Sequence, residues 1–230
     1  MSRTEFKPGN MLYPLPAVLV SVKDLNGKIN LFTVAWAGTI CTNPPMVSIS
    51  VRKERFSYNM IKESGEFVIN LTTQSMAKAT DYCGVKSGRD TDKWLDTGLT
   101  PIDSKLVSAP SISESPVSIE CKVRNILELG SHDMFIADVV AVTVDEKYLD
   151  GNGTFNFQKA NPIAYSHGEY YSLGDKLGNF GYSVRQTNNS NKNINNKKTG
   201  SGKKNNTSSH KDNNRPKKSI KKNNTDKKNK

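Results

Sequence analysis

Cysteine is scarce in this sequence, and its spacing matches no common metal or redox site. Only Cys41, Cys83 and Cys121 occur among the 230 residues, so any disulfide scheme leaves one of them unpaired. The absence of a C-x-x-C pair removes support for a zinc or thioredoxin-type site. Free cysteines are typical of a reducing compartment, so we expect a cytoplasmic protein. We expect Cys83 and Cys121 to be buried as small apolar residues.

Long apolar runs are also absent. No stretch approaches the roughly 20 apolar residues that a membrane-spanning helix needs, and no basic segment followed by an apolar run indicates a signal peptide. The sequence has no G-x-G-x-x-G fingerprint of a dinucleotide-binding domain. It also offers no convincing catalytic triad or carboxylate pair. We therefore expect no transmembrane segment, no Rossmann domain, no catalytic side chain and no metal site.

Positive charge is plentiful but unevenly placed. Residues 187–230 hold 14 Lys and Arg against 2 Asp, which leaves 19 basic and 20 acidic residues in 1–186. The Lys- and Asn-rich tail at 187–230 has no aromatic residue, a composition that predicts disorder. It would either bind nucleic acid or anionic surfaces weakly or be a solvated extension, which we favour. Residues 1–186 are near neutral and predict a single folded domain.

Short strands joined by turns dominate residues 1–186. An Asn26-Gly27 hairpin signal follows the first strand, and the first three strands read as an antiparallel meander. The pattern predicts a mainly β protein, a small antiparallel barrel with short helices. The predicted strands cover 17–22, 30–40, 46–51, 66–71, 117–123 and 134–142, with a short apolar piece at 162–165 and helices at 57–65 and 74–82.

One strand end carries groups that suit a phosphate. Residues 46–51 alternate apolar and small polar residues, as a strand buried on one face does. They run into Arg52-Lys53-Glu54-Arg55 and then into a helix for which Ser57 is the predicted N-cap. Hydroxyls, cations and a helix N-terminus together favour a phosphate-bearing ligand. Arg52 is our candidate from the basic run, and the alternative is a solvated, charged strand end.

Four segments occur in a characteristic order over about residues 12 to 170. Together they resemble the flavin reductase-like, FMN-binding split-barrel family, and within it the flavoredoxin branch. The segments are Thr33-Val34-Ala35-Trp36 before a Pro-Pro turn, Glu66-Phe67-Val68-Ile69-Asn70, Ser87-Gly88-Arg89-Asp90-Thr91-Asp92-Lys93, and Glu120-Cys121-Lys122 before Gly130-Ser131-His132.

This resemblance implies a split β-barrel that forms a homodimer and holds FMN non-covalently near the subunit interface. Carried over by motif, the implied FMN contacts are Asn30, Trp36, Ser57, Lys93, His132 and Tyr165.

Each of these residues also has a plainer interpretation. Trp36 could pack in the barrel core, and His132 could be an exposed turn residue. Arg89 and Lys93 could belong to a surface loop with weak ion pairs to Asp90 and Asp92. The resemblance favours Lys93 as a ligand contact and leaves Arg89 open.

Two functional hypotheses follow from the resemblance. The first is an NAD(P)H:flavin oxidoreductase, in which NADH or NADPH reduces FMN by hydride transfer and an acceptor then takes the electrons. The second is a flavoredoxin-type electron carrier, which keeps FMN as a prosthetic group and exchanges electrons with a redox protein partner. A third alternative is that this protein shares only the fold of the family and that its barrel binds a different ligand.

Overall fold

The computed structural model describes residues 1–184, so the predicted tail at 187–230 lies outside the described residues. The chain divides into a unit of residues 1–178 and a second unit, in which residues 182–184 form a 3₁₀ turn. The helices of the first unit are α1 (Phe56–Ser64), α2 (Ala77–Val85) and α3 (Lys93–Thr97), with 3₁₀ turns at Gln74–Met76, Glu146–Tyr148 and Gln158–Ala160. Its strands are β1 (Leu15–Pro16), β2 (Val18–Lys23), β3 (Ile29–Val34), β4 (Ala37–Thr42), β5 (Pro45–Val51), β6 (Glu66–Leu71), β7 (Pro101–Ile102), β8 (Ser111–Ile112), β9 (Val117–Glu128), β10 (Asp133–Val144), β11 (Ile163–Ser166) and β12 (Glu169–Ser172).

Seven strands form one antiparallel sheet in the order β3-β2-β6-β9-β10-β5-β4. Its two edge strands, β3 and β4, are consecutive in the chain, with only Ala35 and Trp36 between them. Such a link spans at most about 11 Å, whereas the edges of a flat seven-stranded sheet lie about 29 Å apart. The sheet must therefore curl until its edges approach each other, which makes it a split barrel.

The barrel interior holds the main hydrophobic core. Val18, Val20 and Val22 of β2 point into it, where they pack with Phe67 of β6 and Phe135 of β10. Each side chain of this kind contributes about 1.5–3 kcal/mol when it is fully buried. Strand β2 is buried on its other face as well, because Leu19 joins a second cluster with residues of α2 and α3. Burial on both faces explains why this strand reads as a continuous apolar run.

The segment predicted as one strand at 30–40 is in fact two strands. The chain leaves β3 at Val34 and starts β4 at Ala37, and the two strands lie at opposite edges of the sheet. The antiparallel pairings predicted for the first three strands are present, β2 with β3 and β4 with β5, but the middle strand is divided in two. Barrel closure is the physical reason, because the chain has to cross the seam between the sheet edges at this point.

The other predicted elements are present, although the limits of several of them differ from the prediction. Strand β6 has the predicted limits, and Gly65 ends α1 in the left-handed conformation expected of a helix-terminating glycine (φ 69°). A 3₁₀ turn at Gln74–Met76 and α2 replace the predicted second helix, and β9 and β10 each extend beyond the predicted strand.

Cys83 and Cys121 are fully buried free thiols, as predicted, and burial raises their pKa values to about 11 and about 12. No helix within residues 1–184 has the length and apolarity needed to cross a membrane.

Candidate functional site

Two cavities that share Phe32, Arg52 and Arg55 form one continuous site beside the barrel seam. The first, which we call the aromatic cavity, measures about 620 Å³, and the second, the cationic cavity, about 370 Å³. All seven residues singled out from the sequence line this site. Trp36, His132 and Tyr165 line the aromatic cavity, Asn30, Ser57 and Lys93 line the cationic cavity, and Arg52 lines both.

Asn30 and Ser57 form a buried pair in the cationic cavity. Asn30 lies in β3 and donates from Nδ2 to Ser57 Oγ over 2.8 Å. Ser57 is not the N-cap of α1, so that prediction was wrong: the cap residue is Arg55, whose side chain makes no capping bond. Ser57 is the second residue of the helix itself. Because its oxygen accepts from Asn30, its hydroxyl hydrogen remains available to donate to a ligand.

Lys93, the first residue of α3, is a buried cation. The residue is only 3% exposed, and its Nζ donates to the backbone oxygen of Cys83 over 2.8 Å. No carboxylate in the described part of the chain lies within salt-bridge distance of it. Burial, with a smaller contribution from the nearby Arg55, lowers the pKa of Lys93 to about 8. A buried ammonium with one neutral acceptor retains donors for an anion.

Arg55 and Arg89 add two guanidinium groups to the cationic cavity. Arg55 donates to the backbone oxygen of Gly84 and Arg89 to that of Glu54, each over 3.1 Å. Among residues 1–184 neither forms a salt bridge, so the ion pairs considered for Arg89 with its neighbouring aspartates are not present. Both cations therefore keep donors that could contact an anionic ligand.

Gly88 allows the loop before α3 to approach Asn30 closely. A Cβ atom at this position would lie 2.3 Å from Asn30 Oδ1 and 2.8 Å from Phe56 Cδ1. Both distances are far below van der Waals contact, so only glycine fits without a shift of its neighbours. The glycine in the Ser87-Gly88-Arg89 segment is thus a steric requirement of the cavity wall.

The aromatic cavity is bordered by side chains from distant parts of the chain. The Trp36 and His132 rings are parallel within 3°, with centroids 6.2 Å apart, and Tyr165 lies 6.5 Å from Trp36 at 51°. Trp36 is 37% exposed, which excludes the interpretation that it is a core residue of the barrel. The antiparallel pairing of β11 with β1 holds Tyr165 opposite Leu15. Planar groups on this wall suit a flat aromatic ligand.

His132 and Arg52 lie at adjoining strand ends. His132 directly precedes β10, and its Nδ1 lies 2.9 Å from Ser131 Oγ. Partial burial and the positive charge of Arg52 lower the pKa of His132, which favours the neutral imidazole at pH 7. Arg52 follows β5 and forms an exposed ion pair with Glu54 at 3.3 Å. Because its charge is already paired, Arg52 is a weaker candidate for contacting an anion than the buried Lys93.

Asp81 and Tyr170 also line the aromatic cavity, and sequence reasoning missed both. Burial and the neighbouring Asp81 raise the pKa of Tyr170 to about 12. Neither residue belongs to a recognisable motif, and 88 residues separate them from each other in the chain. No signal in the sequence could have placed them together.

Comparisons with known proteins identify the family to which this fold belongs. A model of the flavin reductase like domain matches residues 11–174. The fold superposes on flavoredoxin of Desulfovibrio vulgaris with a TM-score of 0.75 and 32% identity, covering 80% of this chain and all of that one. Flavoredoxin from Methanosarcina acetivorans gives a TM-score of 0.72 and 29% identity, covering 79% and 97% of the two chains. A Pyrococcus abyssi protein is 31% identical over 171 residues, which is 73% of this chain and 95% of its own length. This chain therefore belongs to the flavin reductase-like family and has its split-barrel fold.

Proposed function

We propose that this protein binds FMN non-covalently, with the phosphate in the cationic cavity and the flavin ring in the aromatic cavity. The phosphate would take hydrogen bonds from Lys93 and Ser57, and charge from Arg55 and Arg89. Trp36, His132 and Tyr165 would border the ring. The match to the flavin reductase-like family supports a flavin as the ligand.

The buried ammonium of Lys93 is the observation that carries this proposal. Burying a cation without a counter-ion is costly, and its lowered pKa reflects that cost. A phosphate dianion would supply the missing charge and accept the unused N–H donors. Because Ser57 and the two arginines line the same cavity, the anion would meet hydroxyl and guanidinium donors together.

The activity we propose is that of an oxidoreductase passing electrons from NADH or NADPH through FMN to an acceptor. FMN, when bound, supplies the redox chemistry. The protein's residues would bind and orient the FMN. The cationic cavity would fix its phosphate end, and the Trp36 and His132 rings set the plane available to an aromatic ligand. Neutral His132 would add a hydrogen-bonding group at the ring without adding charge.

Flavin titration tests the cofactor assignment. FMN should bind saturably and more tightly than riboflavin, which has the same ring but no phosphate. Lys93→Met should weaken FMN by at least about tenfold, the effect of losing one charge-assisted hydrogen bond to the phosphate, and should leave riboflavin unchanged. Lys122→Met is the matched control, because Lys122 is a half-exposed lysine on β9, paired with Glu66, that lines neither cavity. Equal affinity for the two flavins would refute the phosphate assignment.

A second candidate is a flavoredoxin-type electron carrier that keeps FMN as a prosthetic group. The similarity to the two flavoredoxins, at 32% and 29% identity, favours it specifically. Anaerobic mixing separates the candidates: rapid bleaching of the flavin by NADH or NADPH selects the oxidoreductase. Bleaching by a reduced redox protein but not by either nucleotide selects the carrier.

Three further expectations belong to this proposal. We propose a homodimer, to be tested by light scattering coupled to size exclusion, and a cytoplasmic location, to be tested by cell fractionation. We propose that the tail at 187–230 takes no part in flavin binding. If it contacts nucleic acid or anionic surfaces, the binding should weaken steeply as salt is raised.

A further inference from the structure

Lys53, Tyr58 and Asp133 line neither cavity, but each is next in the sequence to a residue that does. These three residues contact one another. Tyr58 Oη donates a hydrogen bond to Asp133 Oδ2 over 2.5 Å, and Lys53 Nζ lies 3.5 Å from Asp133 Oδ1. The neighbouring pairs are Arg52 with Lys53, Ser57 with Tyr58, and His132 with Asp133.

Asp133 is a fully buried carboxylate, and Tyr58 is only 6% exposed. Their hydrogen bond lowers the pKa of Asp133 and raises that of Tyr58 to about 12, so the pair is ionised carboxylate and protonated phenol at pH 7. Within residues 1–184, Asp133 Oδ1 accepts no hydrogen bond. An apolar pair of similar size would often be at least as stable as a buried charge. Packing alone therefore does not account for an ionised group at this position.

The bond connects two elements that are distant in the chain. Tyr58 lies in the first turn of α1, and Asp133 is the first residue of β10, 75 positions later. Asp133 is further held in register between Val51 of β5 and Glu128 of β9. Consecutive Cα atoms are about 3.8 Å apart, so fixing these two residues also restrains the backbones of Ser57 and His132.

We propose that Tyr58 and Asp133, assisted by Lys53, are positioning residues that set the spacing between Ser57 and His132. This inference rests on the proposed FMN function, in which Ser57 lies at the phosphate end and His132 at the ring end. The pair fixes the length of the site without touching the ligand, as a supporting group behind a binding site does.

Two conservative variants test the role, each with a control of the same chemistry. Tyr58→Phe is compared with Tyr82→Phe, which deletes an exposed tyrosine–aspartate bond of 2.6 Å to Asp96 between two residues that line neither cavity. Asp133→Asn is compared with Glu120→Gln, because Glu120 is also a fully buried carboxylate and accepts backbone N–H groups instead. We expect both test variants to weaken FMN about tenfold and the controls to leave its affinity unchanged.

Two further readouts separate positioning from simple destabilisation. At saturating FMN, the flavin fluorescence anisotropy should fall in the test variants, because the ring is less fixed, and stay constant in the controls. The double variant Tyr58→Phe/Asp133→Asn should lose no more affinity than the worse single variant, since both changes break one bond. If Asp133→Asn does not fold, Tyr58→Phe, which removes a single oxygen atom, carries the comparison.

The outcomes also distinguish this inference from the proposed function. If wild-type protein binds FMN and the test variants behave like the controls, the positioning role is refuted and the FMN assignment survives. If wild-type protein fails to bind FMN, the proposed function is refuted. In that case the pKa of His132, measured by NMR in the ligand-free protein, still reports on positioning. A change in Tyr58→Phe, which alters no charge, that is absent from Tyr82→Phe supports the role, and no change refutes it.

Discussion

The affinity for FMN should depend on pH through Lys93. Burial has already lowered the pKa of this ammonium to about 8 in the ligand-free protein. A bound phosphate favours the charged form and therefore raises the pKa of Lys93. Below pH 8 the group is protonated before FMN arrives and binding costs no proton. Above pH 8 each binding event must first take up a proton, so the affinity falls.

The magnitude follows from the protonated fraction. With a pKa of about 8, about 90% of Lys93 is protonated at pH 7 and about 3% at pH 9.5. As long as the pKa in the complex exceeds 9.5, the FMN dissociation constant should rise about 30-fold over this range, equivalent to about 2 kcal/mol. Below about pH 6 the phosphate itself loses its second charge, so affinity should fall there too. Tightest binding is expected between pH 6 and 8.

Flavin fluorescence titrations between pH 5 and 9.5 provide the assay. Riboflavin is the internal control, because it shares every titration of the ring and lacks the phosphate. Lys93→Met should bind FMN weakly with no loss above pH 8, whereas Lys122→Met should follow the wild type. A wild-type curve that stays flat from pH 7 to 9.5, or a Lys93→Met curve that keeps the 30-fold loss, would refute the reasoning.

Three further predictions use other features of the site. Ligand-free Lys93→Met should be more stable than wild type at pH 7 by about 2 kcal/mol in urea unfolding. The substitution removes the cost of burying the ammonium charge, which the lowered pKa puts at about 3 kcal/mol, and it loses the hydrogen bond to the backbone acceptor, which contributes about 1 kcal/mol. Between pH 8 and 10.5 Lys93 is protonated in the unfolded state but largely neutral in the folded state. The free energy of unfolding of the wild type should therefore rise over this range, and that of the variant should not. Gly88→Ala should weaken FMN by about fivefold or more, because its methyl group has to displace Asn30 from the cavity wall at a cost of about 1–3 kcal/mol. Gly151→Ala, whose Cβ would meet nothing, should not weaken FMN. Removing 187–230 should leave the FMN dissociation constant unchanged, and a large loss would place the tail at the site.

Local patterns were enough to predict several elements. The alternation at 46–51 and the apolar run at 66–71 both became strands of the barrel, because side-chain period and burial agree there. The strand predicted at 30–40 failed for a different reason. Its residues contain no breaker between Val34 and Ala37, and the interruption at Trp36 comes from closing the sheet. Closure depends on strands up to about 100 residues away and leaves no local signature.

The prediction of the site was limited in the same way, by its dependence on residues that are distant in the chain. Motif resemblance identified residues that the fold does bring together, but their roles depend on distant partners. Ser57 looks like a helix cap by its local sequence, and its actual partner is Asn30, on a strand 27 residues earlier. Asp133 shows no spacing that indicates function, because its partner Tyr58 lies 75 residues away. Such pairings follow from the tertiary fold and could not be derived from adjacent residues.

A crystal structure of the protein with bound FMN tests the central claim most directly. We predict that the phosphate lies within hydrogen-bond distance of Lys93 Nζ and Ser57 Oγ, with the flavin ring beside Trp36 and His132. A phosphate located elsewhere, with Lys93 still bonded only to the Cys83 carbonyl, would contradict it.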